Sequence, residues 1–562
     1  MNCSFARSDG GTYKVCCKRH CNLAVKRLVN DFLTCLGKPA CRQSGLTHTS
    51  HRIDAPEPQT NAASKNRPVG PTIKAMLRTS CRLLLAASFV CQLVPLPVYA
   101  DTTNLPDLGD ESLAVISPAQ ERKLGQDFIR QAHRSLSFMD DPEISEYIQS
   151  LGQKLVAHSD DPQQEFRFYV INNPAINAFA LPGGYICVHS GLILATQNEG
   201  ELAAVIAHEI AHITQRHIPR MIAESQRTTI PALAAVLAGI LMASSGHQGG
   251  EAAIALTGAT VAQRQLTFSR EYEEEADRFG MRTLAKSGFD PDAMPDFFER
   301  MQNLNRVNET NLPEFLRDHP VTTNRIADAL NRAQEYIKQY HYHPAPGSEE
   351  YEFFQAKIRA LTGSNPDEIA RGFKDDLAEG KYRNVDAERY GYALALLRTR
   401  QTNTARVEAQ KLIDRHPNKS SFRILQAEIE MAAENYKQAL AIYAAAFAKA
   451  PTDPALMQYY ASALLKTQHY RRAEDLLKAA VQQRPDDPIL YKMLAEAAGN
   501  TGASYDAHRA LAEHYYLIGS PDAALEQLHL AARSAGNNFY LQSSVDARIA
   551  AIKEEMALYQ NK

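Results

Sequence analysis

Midway along the chain, "AHEIAHITQRH" (207–217) sets two histidines four positions apart with a glutamate directly after the first. On a helix, His208 and His212 lie one turn apart on one face, so both imidazoles reach a single tetrahedral ion. Glu209 stands beside them, close enough to take a proton from a water at that ion. With 18 His in 562 residues, a chance HExxH is expected roughly 0.03 times in a chain of this composition. The spacing therefore points to metal-assisted hydrolysis rather than to an ordinary amphipathic helix that happens to carry His.

Such an ion needs a third protein ligand. A pattern with a third histidine would put glycine at 215 and histidine at 218, whereas the chain has Gln215 and Ile218. His217 is one position off and reads as a solvated side chain or an outer partner of a ligand. The remaining source is a carboxylate from another helix, and "SREYEEEADRFG" (269–280) offers Glu273, Glu274 and Glu275. Spacing and charge do not choose among the three. Asp277, one turn from Glu273, is placed to accept a hydrogen bond from a liganding imidazole and fix its orientation.

The elements that must hold these groups follow from periodicity. Leu202, Val205, Ile206, Ile210 and Ile213 recur at helical spacing and predict a helix from about Asn198 to Arg216. Ahead of it, 110–165 reads as two helices, the first opening on Ser117-Pro118 with Gln120 placed for a capping box. Between them, "FRFYVI" (166–171) and "YICVHSGLI" (185–193) read as short strands joined through "NNPAINAFALPGG", whose Pro182-Gly183-Gly184 signals a turn. An edge strand over Asn177, Ala178, Phe179 and Ala180 would pair with an extended peptide through backbone hydrogen bonds, which makes that segment the candidate substrate-binding site; a plain hairpin is the alternative. Cys187 reads as a small core residue. Downstream, "IPALAAVLAGILMASSG" (230–246) is apolar on nearly all sides but shorter than the roughly 20 residues of a bilayer crossing. It predicts a buried or interfacial helix.

Beyond "HPAPGSEE" (343–350) the chain becomes alanine-rich and periodic. Ala393, Ala427, Ala461 and Ala495 are spaced by 34 residues, as are Ala405, Ala439, Ala473 and Ala507, and Pro417, Pro451 and Pro485. This is a helix-turn-helix array similar to tetratricopeptide repeats, in which small residues let paired helices cross closely and proline ends the second helix. Arrays of this kind bind other proteins.

The N-terminal end has a different character. "MLRTSCRLLLAASFVCQLVPLPVYA" (76–100) has basic residues, a short apolar core and Val98 and Ala100 at the small-residue positions of a cleavage site, so it reads as a secretory signal. Residues 1–75, with six of the nine cysteines, read as an extension or a mis-assigned start, with Met76 the expected initiator. Cys187 alone follows the signal, so no disulfide is expected within the exported part. With 61 basic and 64 acidic residues, the charge balance gives no reason to expect a nucleic-acid partner.

HExxH followed by ExxAD resembles the zinc metallopeptidases that include the CAAX prenyl endopeptidases, the membrane heat-shock peptidases and the β-barrel assembly-enhancing proteases. "NAFALPGGYICVHSGLI" (177–193), "SGFDPDAM" (287–294) and "DHPVTTNRI" (318–326) extend the likeness over about 165–330. The repeats favour the last branch. The resemblance implies a mostly α fold with a small β-sheet, a gluzincin-type metallopeptidase domain followed by a solenoid. It implies one zinc per chain on His208, His212 and Glu273. His319 and Arg325, in the segment matching the family's His-Pro element, become candidate donors to a developing oxyanion; alternatively His319 fills the open metal position and keeps the enzyme latent, or only caps a loop beside Pro320. The implied setting is the periplasm, with peripheral membrane contact. Unfolded or stalled outer-membrane proteins are the implied substrates, and the outer-membrane assembly machinery the partner of the repeats. A chaperone-like scaffold with minor proteolysis is the alternative. The expected organisation is a signal at 76–100, a peptidase domain at 101–342, a linker at 343–365 and repeats at 366–560.

Overall fold

A computed structural model describes residues 116–225, 270–307, 313–340, 342 and 348–560. The extension, the signal segment and the apolar run at 230–246 lie outside the described residues.

The first helix, α1 (Pro118–Ser135), begins where Ser117 accepts the Gln120 N–H and the Gln120 side chain accepts the Ser117 N–H, a complete capping box with proline in the first turn. Asp141 caps α2 (Pro142–Val156), its side chain accepting the Glu143 and Ile144 N–H groups. Three strands follow: β1 (Arg167–Ile171), β2 (Ala178–Leu181) and β3 (Tyr185–His189). Their order is β1-β3-β2, with β1 parallel and β2 antiparallel to β3, which leaves β2 at an edge. The turn between β2 and β3 needs its glycines: Gly184 has φ 91°, and a Cβ there would stand 2.0 Å from the Glu165 carbonyl.

The third strand ends earlier than its sequence suggests. The Ser190 hydroxyl donates to the Asn173 carbonyl at 2.9 Å and turns the chain into α3 (Ser190–Ala195), so the apolar "GLI" is helical. Next comes α4 (Glu199–Thr214), whose Asn198 cap accepts the Glu201 N–H. It too is shorter than expected, because Arg216 adopts a left-handed φ of 54° and redirects the chain into α5 (His217–Ser225). Helices α6 (Arg270–Lys286), α7 (Ala293–Val307), α8 (Glu314–Asp318) and α9 (Thr323–Gln339) complete this part. Helix α4 runs through its centre, with Leu202, Val205, Ile206 and Ile210 in one core with Val188, Met281, Leu284, Phe297 and Phe315. Burial of each such side chain stabilises by about 1.5–3 kcal/mol, so the helix that carries HExxH is also the one the core holds most firmly.

The expected linker is largely a helix. In α10 (Glu349–Leu361), Tyr351, Phe354 and Ile358 belong to the peptidase core while Phe353 and Ala360 belong to the repeat core. A segment with apolar residues on two faces cannot remain a free connector. The array continues through α11 (Pro366–Glu379), α12 (Val385–Arg398), α13 (Thr402–Arg415), α14 (Ser420–Ala432), α15 (Tyr436–Lys449), α16 (Pro454–Lys466) and α17 (Tyr470–Gln483). It ends with α18 (Pro488–Thr501), α19 (Ser504–Leu517), α20 (Pro521–Ser534) and α21 (Phe539–Gln560). Ala393, Ala427, Ala461, Ala405, Ala439 and Ala473 are all fully buried where helices cross. The columns slip in the last repeat: Ala495 and Ala507 are only partly buried, and Ala497 and Ala510 take the packed positions. A further 34-residue column was invisible in residue type. Arg400, Glu434, Gln468 and Gly502 all adopt positive φ at the turns between helices, and only the last is a glycine.

The two parts are joined by a buried charge. Lys357 of α10 is 4% exposed, and its ammonium donates to Asp141 at 2.8 Å, to Glu143 and to the Tyr459 hydroxyl. Tyr390 donates to Glu143 at 3.0 Å, so the start of α2 is tied to α10, α12 and α16 together. At the other end of the solenoid, Gly519 approaches Gln126 and Arg130 of α1. Removing one partner of a buried ion pair typically costs about 3–5 kcal/mol. Lys357→Met is therefore expected to loosen the junction by that order, seen as faster amide hydrogen exchange at the start of α2 and in α16. Exchange unchanged at both places would mean that the apolar contacts alone hold the parts together.

Candidate metal centre

Helix α4 presents His208 and His212 on its buried face, with their Nε2 atoms 3.0 Å apart. Helix α6 supplies the carboxylate: Glu273 lies 3.5 Å from each Nε2. A fourth group comes from the residue after α8. His319 Nδ1 is 2.9 Å from Glu273 Oε1 and 3.3 Å from His208 Nε2. All four side chains are buried, and each offers a ligand atom within 4.8 Å of the others. Ligand atoms around a tetrahedral zinc with bonds of 2.0–2.1 Å stand about 3.4 Å apart. Two imidazole nitrogens and a carboxylate at these separations fit such an ion, in both donor type and spacing.

The acidic run resolves by burial. Glu273 is 1% exposed, Glu274 points outward, and Glu275 turns instead to His217 and Arg220, at 3.3 and 2.9 Å. Asp277 approaches His208 Nδ1 at 3.0 Å. Gly280, the next position on the same face, makes this possible. A Cβ there would come within 3.0 Å of the His208 backbone, so α6 rests almost directly on α4.

Charge is concentrated to match. Burial opposes protonation of His208, but the carboxylates of Asp277 and Glu273 overcome it and push that imidazole up to about 10. His212 goes the other way, held well below the usual range by burial and by the charge on His208. Glu273 is kept ionised despite burial by the His319 and His208 rings. The site thus concentrates buried carboxylates that call for cations, one of which is the Arg325 guanidinium. Glu209, fully buried beside them, has the Ala180 backbone and the His319 ring, 3.5 Å away, as polar neighbours. Burial raises its carboxyl, the direction that suits a group which must both accept and return a proton.

Arg325 lies behind the carboxylates. It is 2% exposed, and its guanidinium forks onto Asp277 at 2.6 and 2.7 Å, reaches Glu273 at 2.9 Å and donates to the Pro320 carbonyl at 2.9 Å. With its donors committed to two carboxylates and a backbone oxygen, it braces the site and is not placed as an oxyanion donor. Two of the expected substrate residues are also differently employed. Ala178 is fully buried, and Asn177, 3% exposed, donates to Asp318 at 3.1 Å, tying β2 to the turn that carries His319. Phe179 and Ala180 are half-buried on the edge strand, and no further strand pairs with its outer side among the described residues. The contacts of His217 with His212 and Glu275 had no signal in the sequence, since a left-handed arginine at 216 is not announced by its residue type.

Residues 142–333 match peptidase family M48, and 390–454 and 430–498 match tetratricopeptide repeats. A β-barrel assembly-enhancing protease of Yersinia pestis is 34% identical over 445 residues, covering 79% of this chain and 90% of that protein. Another, from Escherichia coli strain K12, is 32% identical over 472 residues, covering 84% of this chain and 95% of its own length. The chain belongs to the β-barrel assembly-enhancing protease family of M48 peptidases. More narrowly, the mitochondrial metalloendopeptidase OMA1 of Schizosaccharomyces pombe is 33% identical over 155 residues, 28% of this chain and 43% of that protein. The fold is thus a metalloprotease domain followed by tetratricopeptide repeats.

In this peptidase, Arg325→Met would leave two buried carboxylates without their cation, at an expected cost of about 3–5 kcal/mol. Arg325→Lys is expected to recover little, because a point charge cannot span the fork. Chemical denaturation of the metal-free protein checks both; a loss below about 1 kcal/mol in either variant would place it among exposed ion pairs instead.

Proposed function

We propose that this metalloprotease is a zinc-dependent endopeptidase of the periplasm, holding one zinc per chain on His208, His212 and Glu273 and cleaving unfolded or stalled outer-membrane proteins. The observation that carries the reading is the convergence of those three side chains with Glu209 buried beside them. Export rests on the signal-type segment at 76–100, and the substrate class on the name borne by the relatives. No described helix is long and apolar enough to cross a membrane, and peripheral contact is the reading for the membrane surface. The repeats dock substrate or the outer-membrane assembly machinery, as stacked helix pairs with a packed interior and polar outer faces commonly do.

Zinc bound here would supply Lewis acidity toward a peptide carbonyl and a water of lowered pKa. The protein's own groups do the rest. Glu209 takes the proton of the attacking water and returns it to the leaving amine. An extended peptide added to the outer edge of β2 would lie beside Glu209, since the Ala180 backbone neighbours that carboxylate. His208 and His212 stay neutral as ligands, with their far nitrogens engaged elsewhere.

His319 bears on regulation. Its ring sits among the candidate ligands and 3.5 Å from Glu209, which favours the latent reading over the oxyanion one: the imidazole occupies the space that water and substrate need. His319→Ala is expected to raise basal casein cleavage several-fold. Basal and substrate-stimulated cleavage both unchanged would remove His319 from the mechanism.

Glu209→Gln tests the function as a whole. It is expected to retain zinc and lose casein cleavage by about 10²- to 10⁴-fold, the range of a general acid–base group. Undiminished cleavage would contradict the mechanism. Full rescue of an outer-membrane permeability defect by the inactive variant would favour the chaperone-like scaffold.

A further inference from the structure

The two candidate histidine ligands are held from behind in different ways. His208 directs its Nδ1 to Asp277 at 3.0 Å, a carboxylate that Arg325 clamps from the interior. His212 is backed by a ring instead. Its Nδ1 lies 2.8 Å from Nδ1 of a second imidazole, His217, whose Nε2 is 3.3 Å from Glu275 Oε2. Arg220 donates to that same oxygen at 2.9 Å.

The protons on this line can be assigned by valence alone. A histidine that offers its Nε2 lone pair to a metal must carry hydrogen on Nδ1. His212 Nδ1–H therefore donates, and His217 Nδ1 has to accept. His217 then carries its hydrogen on Nε2 and donates it to Glu275, whose same oxygen also accepts from Arg220. Every nitrogen and oxygen along the line has one consistent role. Were His217 turned to the other tautomer, its Nδ1–H would face His212 and force the hydrogen of His212 onto Nε2, closing that nitrogen to a metal.

The backbone is arranged to make this contact. In an unbroken helix, positions 212 and 217 would be about 140° apart around the axis, and the two rings would not meet. The helix instead ends at Thr214, and the left-handed turn at Arg216 folds His217 back onto His212. The Arg216 side chain is itself anchored, to the Ile116 carbonyl at 3.1 Å and to Glu121 at 2.7 Å. The His217 ring is fully buried and stacked on Tyr272, the neighbour of Glu273.

Resting on the metal centre proposed above, we infer that His217 is a positioning residue for His212, its tautomer set by Glu275, so that His212–His217–Glu275–Arg220 and His208–Asp277–Arg325 are two parallel supports of one site. The first leads to a partly exposed ion pair and the second to a buried one.

Zinc affinity of the full chain, read by chelator competition, tests the inference without using activity. Loss of an outer partner typically lowers metal affinity about 10- to 100-fold. That loss is expected for His217→Ala. His217→Gln, whose amide oxygen can accept from His212 while its NH₂ donates to Glu275, is expected to recover most of it. The visible spectrum of the cobalt-substituted protein should shift in the alanine variant and return in the glutamine variant. Melting of the metal-free proteins separates folding from ligand orientation. His217→Ala with wild-type zinc affinity would overturn the relay, as would a His217→Gln protein that melts like wild type yet binds no better than His217→Ala. Failure of the wild type itself to take up zinc would sink the metal centre and the relay with it.

Discussion

The backbone of α6 rests on the backbone of α4 at the point where Gly280 meets His208, and the rest of the site depends on that contact. Glu273, Asp277 and Gly280 share one face of α6. Once the glycine closes on α4, the aspartate is carried to the back of one imidazole and the glutamate to the front of both. No side chain larger than hydrogen fits between the helices without moving one of them. Flexible side chains on two helices are thereby fixed relative to one another, which is the kind of support a metal site requires.

Charge has to be balanced around such a contact, because an isolated buried ion is far too costly to keep. Arg325 compensates Asp277 and Glu273 from the interior, and Arg220 compensates Glu275 toward the surface. Lys357 performs a similar service at the junction with the repeats, between Asp141 and Glu143. The same chemistry, a basic side chain shared by two acids, is thus used once to shape the site and once to hold the solenoid against it. His319 enters the site from a turn that Asn177 ties to β2 and that Arg325 holds at the Pro320 carbonyl. Movement of that turn is consequently coupled to the strand edge and to the carboxylates alike.

Much of this was legible in the residues. HExxH fixed the face of α4, and the 34-residue spacing gave the helix pairs and their crossing points through Ala405, Ala439 and Ala473, because both are local periodicities that packing leaves intact. Among Glu273, Glu274 and Glu275, the choice needed a family likeness, since three adjacent carboxylates differ only in the direction in which a helix points them. What escaped was tertiary. The role of Arg325 depends on two carboxylates some 50 positions away in sequence (Arg325 to Asp277 and Glu273), and the linker became α10 only because both of its faces find a core. Helix α4 ends before its apolar periodicity suggests because Arg216 takes a backbone conformation that its side chain does not favour, at a cost of about 1–2 kcal/mol that its contacts with Glu121 and Ile116 offset.

The central claim is that side chains from α4 and α6 bind one divalent ion between them. Zinc-edge X-ray absorption on the full chain tests it most directly. The account predicts one zinc per chain in a four-coordinate shell of nitrogen and oxygen, with at least two imidazoles and no sulfur. An ion surrounded by oxygen alone, or by sulfur, would contradict it.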